Sequence, residues 1–578
     1  MAARAVQAIT ASEFATMLQA VRPPSGWSKT RTLAVANSGG PDSTALLFLL
    51  NRHIQNQPAE TSTRDSPKEL LSLTIDHNLQ PNSSDMAQRA ANTAEALGIK
   101  HITTKLPWGE DGHPPKPEDD QAIEELSRNM RYESFFNTMI KERANGLALG
   151  HHLDDQVETM LLRLGRGSTL LGLAGMRPCR RWGMGEKRWE PGMDGRMIEG
   201  MRKWIVRPLL TVEKDRILAT CEENKLDYVN DPTNFQPAVT TRNAIRHVLN
   251  NGGTSATSAK EIDFPEFTIK TRAELANINK AAARQPDVNF NLSTDLPTLR
   301  QISKDLSAKI LDIDKEDKSV DEFIETHRRK SVEGTFMFAP QGIDQVENPL
   351  VLQALVYRIA RYVSPEPWGS ARAELGRRKS SLERLVKHLK DWSVNFRTVN
   401  KSMIVGSHIW WRLVEIRRTQ PKTTLKTTTP RNLNWLVSRQ PRHRLEEPLD
   451  GQPPTEPHPL KRDVTDEIKK GLEALNAGEG PPLLELLYDC RFLLKFQLDK
   501  IPAEIQYLLG KGSLIKLKPR SEWDYPQVVI TERKKERPIQ WNMKKARWSL
   551  DKEWGLKMKR NIDSGWITME YFRPTSAV

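Results

Sequence analysis

Two short stretches carry residue types that can do chemistry together. The first is SGGPDS, Ser38 to Ser43, where an apolar run stops at a tight polar loop and restarts as a helix over 44–50. Gly39 and Gly40 free the backbone for conformations a side chain forbids, and the amides at the following helix start can face an anion such as phosphate. The hydroxyls of Ser38 and Ser43 add hydrogen bonds. Asp42 does not suit a plain phosphate cradle, because its charge repels phosphate unless magnesium or a substrate proton lies between them. The plain alternative is a glycine turn whose Asp helps cap a helix. No GK[ST] follows the glycines, so this is not a Walker A loop.

The second stretch is HHLDDQVETMLLRLGRGS, from His151 to Ser168. A helix starting near Leu153 sets Asp154 and Glu158 four residues apart and Asp155 and Glu158 three apart, so the carboxylates crowd its first turns. Magnesium, a substrate amine, or the nearby Arg163 and Arg166 would offset that charge. Capping chemistry at a helix N-terminus is the alternative. His151 and His152, side by side, point different ways and do not make a metal pair. Arg128 and Arg131 share a face of a helix expected over 121–143, with simple solvation as their other reading.

The elements that must position these residues read as β-α-β-α-β. Leu33 and Val35 lie in a first buried strand, and LLSLTIDH is a second that ends in Asp76 and His77. Ser83 caps a helix that Gly98 terminates, HITTKLPW is a third strand, and GLALGHH a fourth. Such alternation builds a parallel sheet covered by helices, with ligands at the carboxyl ends of its strands.

At 578 residues the chain divides into several domains. Lys and Arg outnumber Asp and Glu by 87 to 73, a net charge of +14, which favours a polyanionic partner. Cys179, Cys221 and Cys490 are the only cysteines, too few and too scattered for a disulfide framework or a CxxC metal site. No run of about 18 apolar residues is present. The first residues, acid-free with Arg4, weakly resemble a mitochondrial presequence, although Glu13 arrives early and the segment equally suits a first helix.

Taken in order, SGGPDS, IDHNLQPNS, RNMRY, GHHLDDQVETMLLRLGRGS, GLAGM, VRPLL, DPTN and TRNAIRH resemble the tRNA(Ile)-lysidine synthetases, a family of PP-loop ATP pyrophosphatases. The likeness covers residues 30 to about 250. It implies an α/β fold for 1–250, a parallel-sheet Rossmann-like PP-loop domain; beyond it the chain itself reads as a mainly helical domain over 263–418 and a basic, β-rich domain over 435–578. It implies ATP and Mg2+ as cofactors, and free L-lysine and tRNA(Ile) with a CAU anticodon as partners. Lysine is ligated to carbon 2 of the wobble cytidine through an adenylated intermediate. Asp42, Asp154, Asp155 and Glu158 become the catalytic set, with Asp42 and Asp155 as metal ligands. Ser38, Gly39, Gly40, Pro41, Asp42, Ser43, Asp76, His77 and Arg128 would hold ATP, and Arg131, Arg166, Arg242, Asn243 and Arg246 the tRNA. A thiolating PP-loop enzyme, or a non-catalytic RNA-binding relative, is the alternative. The family's usual DHGLR is here Asp76 to Gln80. Asn78 can take glycine's left-handed conformation, whereas Gln80 loses a positive charge. A length beyond the usual bacterial enzyme points to a mitochondrial location, with the cytoplasm as alternative.

Beyond that region, NGGTSATSAKEI is expected to be a flexible boundary, VENPLVLQALVYRIARYV a packing helix, and MIVGSHIWWRLVEIRR paired strands. A polar linker from about 420 to 460 precedes the last domain. From Lys511 to Arg560, fifteen Lys and Arg stand against six Asp and Glu, interleaved with Trp523, Trp541, Trp548 and Trp554. That mixture suits RNA, or a tryptophan core with a basic rim.

Overall fold

The computed structural model describes residues 6–575 except 25, 28–31, 58–65, 80–82, 111–112, 117–119, 188–191, 230–239, 257, 259, 263–266, 286, 312–317, 371, 374–378, 393–401, 407, 416–432, 442–459, 521–523, 533–534 and 540–564. Gln80, the DPTN motif and Trp523, Trp541, Trp548 and Trp554 lie outside the described residues. The chain divides into two compact units, one of residues 1–182 and 202–312, the other of 183–201 and 313–577.

The first unit begins with α1 (Ala11–Ala20), β1 (Thr32–Ala36), α2 (Pro41–Gln55), β2 (Glu69–Asp76), α3 (Ser83–Ala96), β3 (Lys100–Lys105), α4 (Asp120–Lys141), β4 (Gly146–Ala148), α5 (Leu153–Gly165) and α6 (Leu170–Leu173). It continues with β5 (Cys179–Arg181), β6 (Trp204–Val206), α8 (Lys214–Glu223), α9 (Thr241–Asn250), α10 (Ile269–Ala283) and α11 (Leu296–Leu311), while α7 (Asp194–Arg202) lies in the intervening segment. The sheet order is β3-β2-β1-β4-β6-β5. β1 to β4 and β6 pair in parallel, as the alternating pattern requires, and β5 closes the edge antiparallel to β6. The order reverses at β1, so the loops after β1 and β4 run to opposite faces and open the crevice in which such sheets bind ligands. Leu33, Ala34 and Val35 are fully buried in β1, and the buried face of α2, from Ala45 to Leu50, packs there with α1 and α8.

Residues 251–262, expected as a flexible boundary, are mostly exposed or half-buried where described, and are anchored at a few points. The Asn279 amide on α10 donates to the carbonyls of Thr254 (3.1 Å) and Ala256 (2.6 Å), and Ile262 is buried with Leu275 and Ile278. A polar stretch can be pinned to a core when one buried side chain satisfies part of its backbone. It thereby ties α10 to α5, and α11 to the same core.

The second unit holds α12 (Lys318–His327), β7 (Arg328–Arg329), β8 (Phe336–Phe338), α13 (Gln341–Asp344), α14 (Pro349–Val363), α15 (Lys379–Lys390), β9 (Ser402–Ile404), β10 (Ile409–Glu415) and β11 (Leu433–Arg439). α14, the expected packing helix, is buried on nearly every side. β9 and β10 are the expected antiparallel pair, and β11 joins β10 to β8, so strands from both sides of residues 416–432 share one sheet. The chain continues through β12 (Arg462–Asp463), α16 (Thr465–Asn476), β13 (Leu483–Tyr488), β14 (Phe492–Gln497), α17 (Ala503–Gly510), β15 (Leu514–Arg520), β16 (Tyr525–Glu532), β17 (Lys535–Pro538) and β18 (Ile567–Tyr571). Along β15, Ile515 and Leu517 turn to the core while Lys516 and Lys518 alternate outward.

Within this unit the buried Asp194 accepts the Leu487 amide (2.9 Å) and pairs with the buried Arg462 at 2.8 Å. Met184, Met197, Ile198 and Met201 pack with Trp368, Leu487 and Leu493. The insertion between β5 and β6 is therefore a built part of the second unit. Breaking a buried pair by removing one partner costs about 3–5 kcal/mol. Asp194→Ala should lower stability by that order in urea unfolding, and Asp194→Asn, which keeps an acceptor for Leu487, by less.

Candidate active site

The loop after β1 is set by Asn37, 1 % exposed. Its amide nitrogen donates to the Ser72 hydroxyl (3.2 Å) and the Ala90 carbonyl (3.1 Å), its carbonyl accepts the Thr74 hydroxyl (2.6 Å), and its side-chain oxygen accepts the Gly39 amide (3.0 Å). Gly39 has φ +77° and lies against Ala90, the left-handed conformation for which the double glycine was chosen. Ser43 Oγ accepts the Ser38 amide (3.1 Å) and sits 3.2 Å from Ser38 Oγ, closing the loop on itself. Gly40 caps α2 and Pro41 is its first residue, so the amides of Asp42 and Ser43 have no acceptor within the helix. That cradle fits a polyphosphate.

Gly150, after β4, runs against this helix start. A Cβ there would stand 3.0 Å from the carbonyl carbon and oxygen of Asp42 and 3.1 Å from the Ser43 amide nitrogen. Only a glycine lets the two strand ends approach so closely. His152 follows and caps α5; its backbone amide donates to Asp155 (3.0 Å), and its Nε2 lies 3.7 Å from Asp42 and 3.6 Å from Asp155. Asp42 and Asp155 therefore meet at one imidazole edge. Asp42 also accepts the Lys214 ammonium at 2.5 Å, from the first turn of α8.

Farther along α5, Arg246 on α9 reaches Glu158 through Nε (2.8 Å) and Nη2 (2.6 Å) and lies 3.9 Å from Asp155. The second Glu158 oxygen is buried without a hydrogen-bond partner. Burial and the neighbouring Asp155 charge push Glu158 up to about 7, against the pull of Arg246 and Arg242. Burial alone would raise Asp155 too, but His152, His151 and the His152 amide outweigh it and hold Asp155 at about 2. Two carboxylates three residues apart are thus driven to different protonation states. Arg242 bonds the Thr159 hydroxyl (3.1 Å) on the same side of α5.

Asp154 is turned elsewhere, into a two-bond pair with Arg300 of α11 (2.6 and 2.8 Å), which also reaches Glu213 at 3.4 Å. Arg166 caps the far end of α5, a helix of 13 residues and hence about 20 Å long, away from the carboxylates. Asn243 lies in the first turn of α9, its backbone amide capped by Thr240 (3.1 Å).

At the end of β2, Asp76 accepts the Asn78 amide (2.9 Å) and the Ser84 hydroxyl (3.0 Å), and Asn78 takes φ +50°, as its place in the turn required. Burial and the charge of Arg131 lower His77 to about 4. Arg128 and Arg131 flank the ring of Tyr132 at 5.4 and 6.0 Å, with the charge of Arg131 felt at His77 and that of Arg128 at His151.

Asp42 and Asp155 are hard oxygen donors of the type that, with substrate phosphates, would suit a magnesium ion. Among the described residues no group of three or more His, Cys, Asp or Glu forms an all-protein cage. Sequence reasoning passed over Asn37, Gly150, Lys214 and Arg300. GHH carried a signal for Gly150; the lysine and arginine lie inside ordinary charged helices. GLAGM is structural: Gln156 bonds both the amide and the carbonyl of Met176 (2.6 and 3.0 Å), and Arg163 holds the carbonyls of Gly172 (2.7 Å) and Gly175 (2.5 Å).

Residues 8–252 match the PP-loop domain family. A tRNA(Ile)-lysidine synthase of Bacillus licheniformis is 34 % identical over 217 residues, and one of Bacillus subtilis 33 % over 225. These matches take in 37 % and 38 % of this chain, and span only 39 % and 40 % of those relatives. The tRNA(Ile)-lysidine synthase of a Bradyrhizobium species is 31 % identical over 359 residues, 62 % of this chain and 80 % of that relative. A likeness running that far past the nucleotide loop, through the helices that supply Arg246 and Arg300, makes this chain a member of the tRNA(Ile)-lysidine synthase family.

Proposed function

We propose that this protein ligates lysine to carbon 2 of the wobble cytidine in tRNA(Ile) with a CAU anticodon, converting ATP to AMP and pyrophosphate. The observation that carries the reading is the pairing of a phosphate cradle at α2 with two unequal carboxylates at α5, across a glycine that lets them touch. An amide-like carbonyl oxygen is a poor leaving group, so it is first adenylated and then displaced by an amine. The cradle of Ser38 to Ser43 holds the polyphosphate. Asp42 and Asp155 would hold magnesium, which neutralises phosphate charge when bound. Lys214, paired with Asp42 in this structure, would give up that contact to the ion.

Glu158 and Asp155 are suited to the lysine ε-ammonium. Such an amine must lose a proton before it attacks, and a carboxyl poised near neutrality is the matched acceptor. Glu158, raised to about 7, is that group. Asp155, already ionised, fixes the charge beside it. Arg242 and Arg246 keep the pair from repelling when the site is empty, and the ammonium replaces part of their role. The outward-facing lysines of β15, half-buried, and the basic sequence to Arg560 suit the RNA backbone.

Incubation with ATP, lysine and transcribed tRNA(Ile), followed by mass spectrometry of nucleosides, should show a lysine added to cytidine; thiolated nucleoside or no product would refute the reading. Asp42→Asn should lower turnover at least a hundredfold, the scale of losing one charged stabiliser, while tRNA affinity by filter binding stays within twofold. Because Glu158 is raised on folding, its contribution to stability is complete below its unfolded value of 4.5 and is lost as pH rises through about 7. Urea midpoints of the native protein should therefore fall between about pH 4.5 and 7, and Glu158→Gln should flatten that slope.

A further inference from the structure

Arg207, the residue after β6, is a cation the proposed chemistry does not use. It is 4 % exposed, gives one Nη to the Arg177 carbonyl (2.9 Å) and bonds the Tyr132 hydroxyl, and its Nε is buried without an acceptor. Among the described residues no carboxylate lies within ion-pair distance of it. Arg246 and Arg300, by contrast, each meet a carboxylate at 2.6 Å.

Its charged neighbours make the imbalance worse. Burial, then Arg180 and Arg128, lower Arg207 to about 10. Burial would raise Tyr132, but Arg207, Arg128, Arg180 and Arg131 outweigh it and hold the phenol below its usual value. Burial followed by Arg207 lowers His151 to about 3. Three different groups thus register one concentration of positive charge. A buried guanidinium costs several kcal/mol unless an anion meets it. Arg128 stands exposed at the rim, over the Tyr132 ring, and Trp182 lies 5.6 Å from that ring.

We propose that Arg207, the Tyr132 hydroxyl and Arg128 form an anion site that takes a backbone phosphodiester of the RNA beside the reacting nucleotide. It rests on the RNA substrate proposed above. Sheet order separates it from the nucleotide cradle: β4 stands between β1 and β6, so Arg207 starts two strand spacings, about 10 Å, from the loop after β1. Asp76 and His77 lie on the other side of β1. The site therefore faces the second substrate, and Tyr132 and Trp182 offer planar faces for an adjoining base.

The test uses the full chain and synthetic anticodon stem-loops in which one phosphate flanking the target cytidine is a neutral methylphosphonate. At one position the native protein should lose roughly tenfold or more in affinity, the scale of a hydrogen bond to a charged group. Arg128→Gln should lose a similar factor with unmodified RNA, show little further loss with that methylphosphonate, and lower the log-log salt slope by about 0.7. The family resemblance gave Arg128 to ATP; assigned instead to the RNA phosphate, the variant should keep its ATP and lysine affinities by calorimetry within twofold. Arg207→Lys should behave likewise where circular dichroism shows it folded; Arg128→Gln, at the rim, decides if it is not. Additive losses, or tenfold weaker ATP or lysine binding with RNA affinity kept, would overturn the site. A native protein that binds no RNA overturns the site and the substrate reading together. RNA held through this phosphate without product would sink the reaction alone.

Discussion

Asp42, Asp155 and Glu158 crowd the first turns of α5 while Asp154 turns away, and cations from later in the chain meet them. Two like charges 4 Å apart repel by about 4 kcal/mol at an effective dielectric near 20. Lys214 from α8 meets Asp42, Arg300 from α11 meets Asp154, and Arg246 from α9 meets Glu158. Each salt bridge is also a packing constraint, so α8, α9 and α11 have defined places in the first unit. A cation arriving at this cluster would exchange with a resident one instead of bringing the first positive charge to bare carboxylates, which would keep the binding step close to balanced electrostatically.

Sterics set the second condition. Asn37 fixes the loop after β1 by bonds to β2 and α3, and Gly150 lets the loop after β4 lie against it. Neither residue has a chemical role. Together they bring His152 to Asp42 and Asp155, so a phosphate-binding element and a carboxylate element, from strands adjacent in the sheet, act as one surface.

What the sequence revealed follows from locality. SGGPDS and HHLDDQVE are contiguous, and their geometry depends on turn and helix rules that act within a few residues; Asn78 at φ +50° is another such case. The partners of those carboxylates are not local. Lys214 and Arg300 sit 172 and 146 residues from Asp42 and Asp154, among charges that look like solvated helix surface. Asp154 was legible as a carboxylate of the cluster but not as the partner of Arg300. Residues 251–262 have the composition of a linker, and the bonds from Asn279, on a different helix, that hold Thr254 and Ala256 leave no mark in it. The sheet joining β11 to β8 and β10 was hidden for the same reason: pairing across 416–432 leaves no periodic mark on either side.

The insertion between β5 and β6 has a consequence for how the chain matures. Asp194 belongs to the second unit, yet it is synthesised before α8, α9 and α11, which complete the first. The amide it accepts, at Leu487, lies 293 residues downstream. At about 5–20 residues per second, a ribosome takes roughly 15–60 s to deliver that partner. During that interval Met197, Ile198 and Met201 have no Leu487 or Leu493 to pack against. The nascent chain therefore carries a loop of exposed methionines out of an otherwise finishable domain, a natural point for a chaperone to hold it.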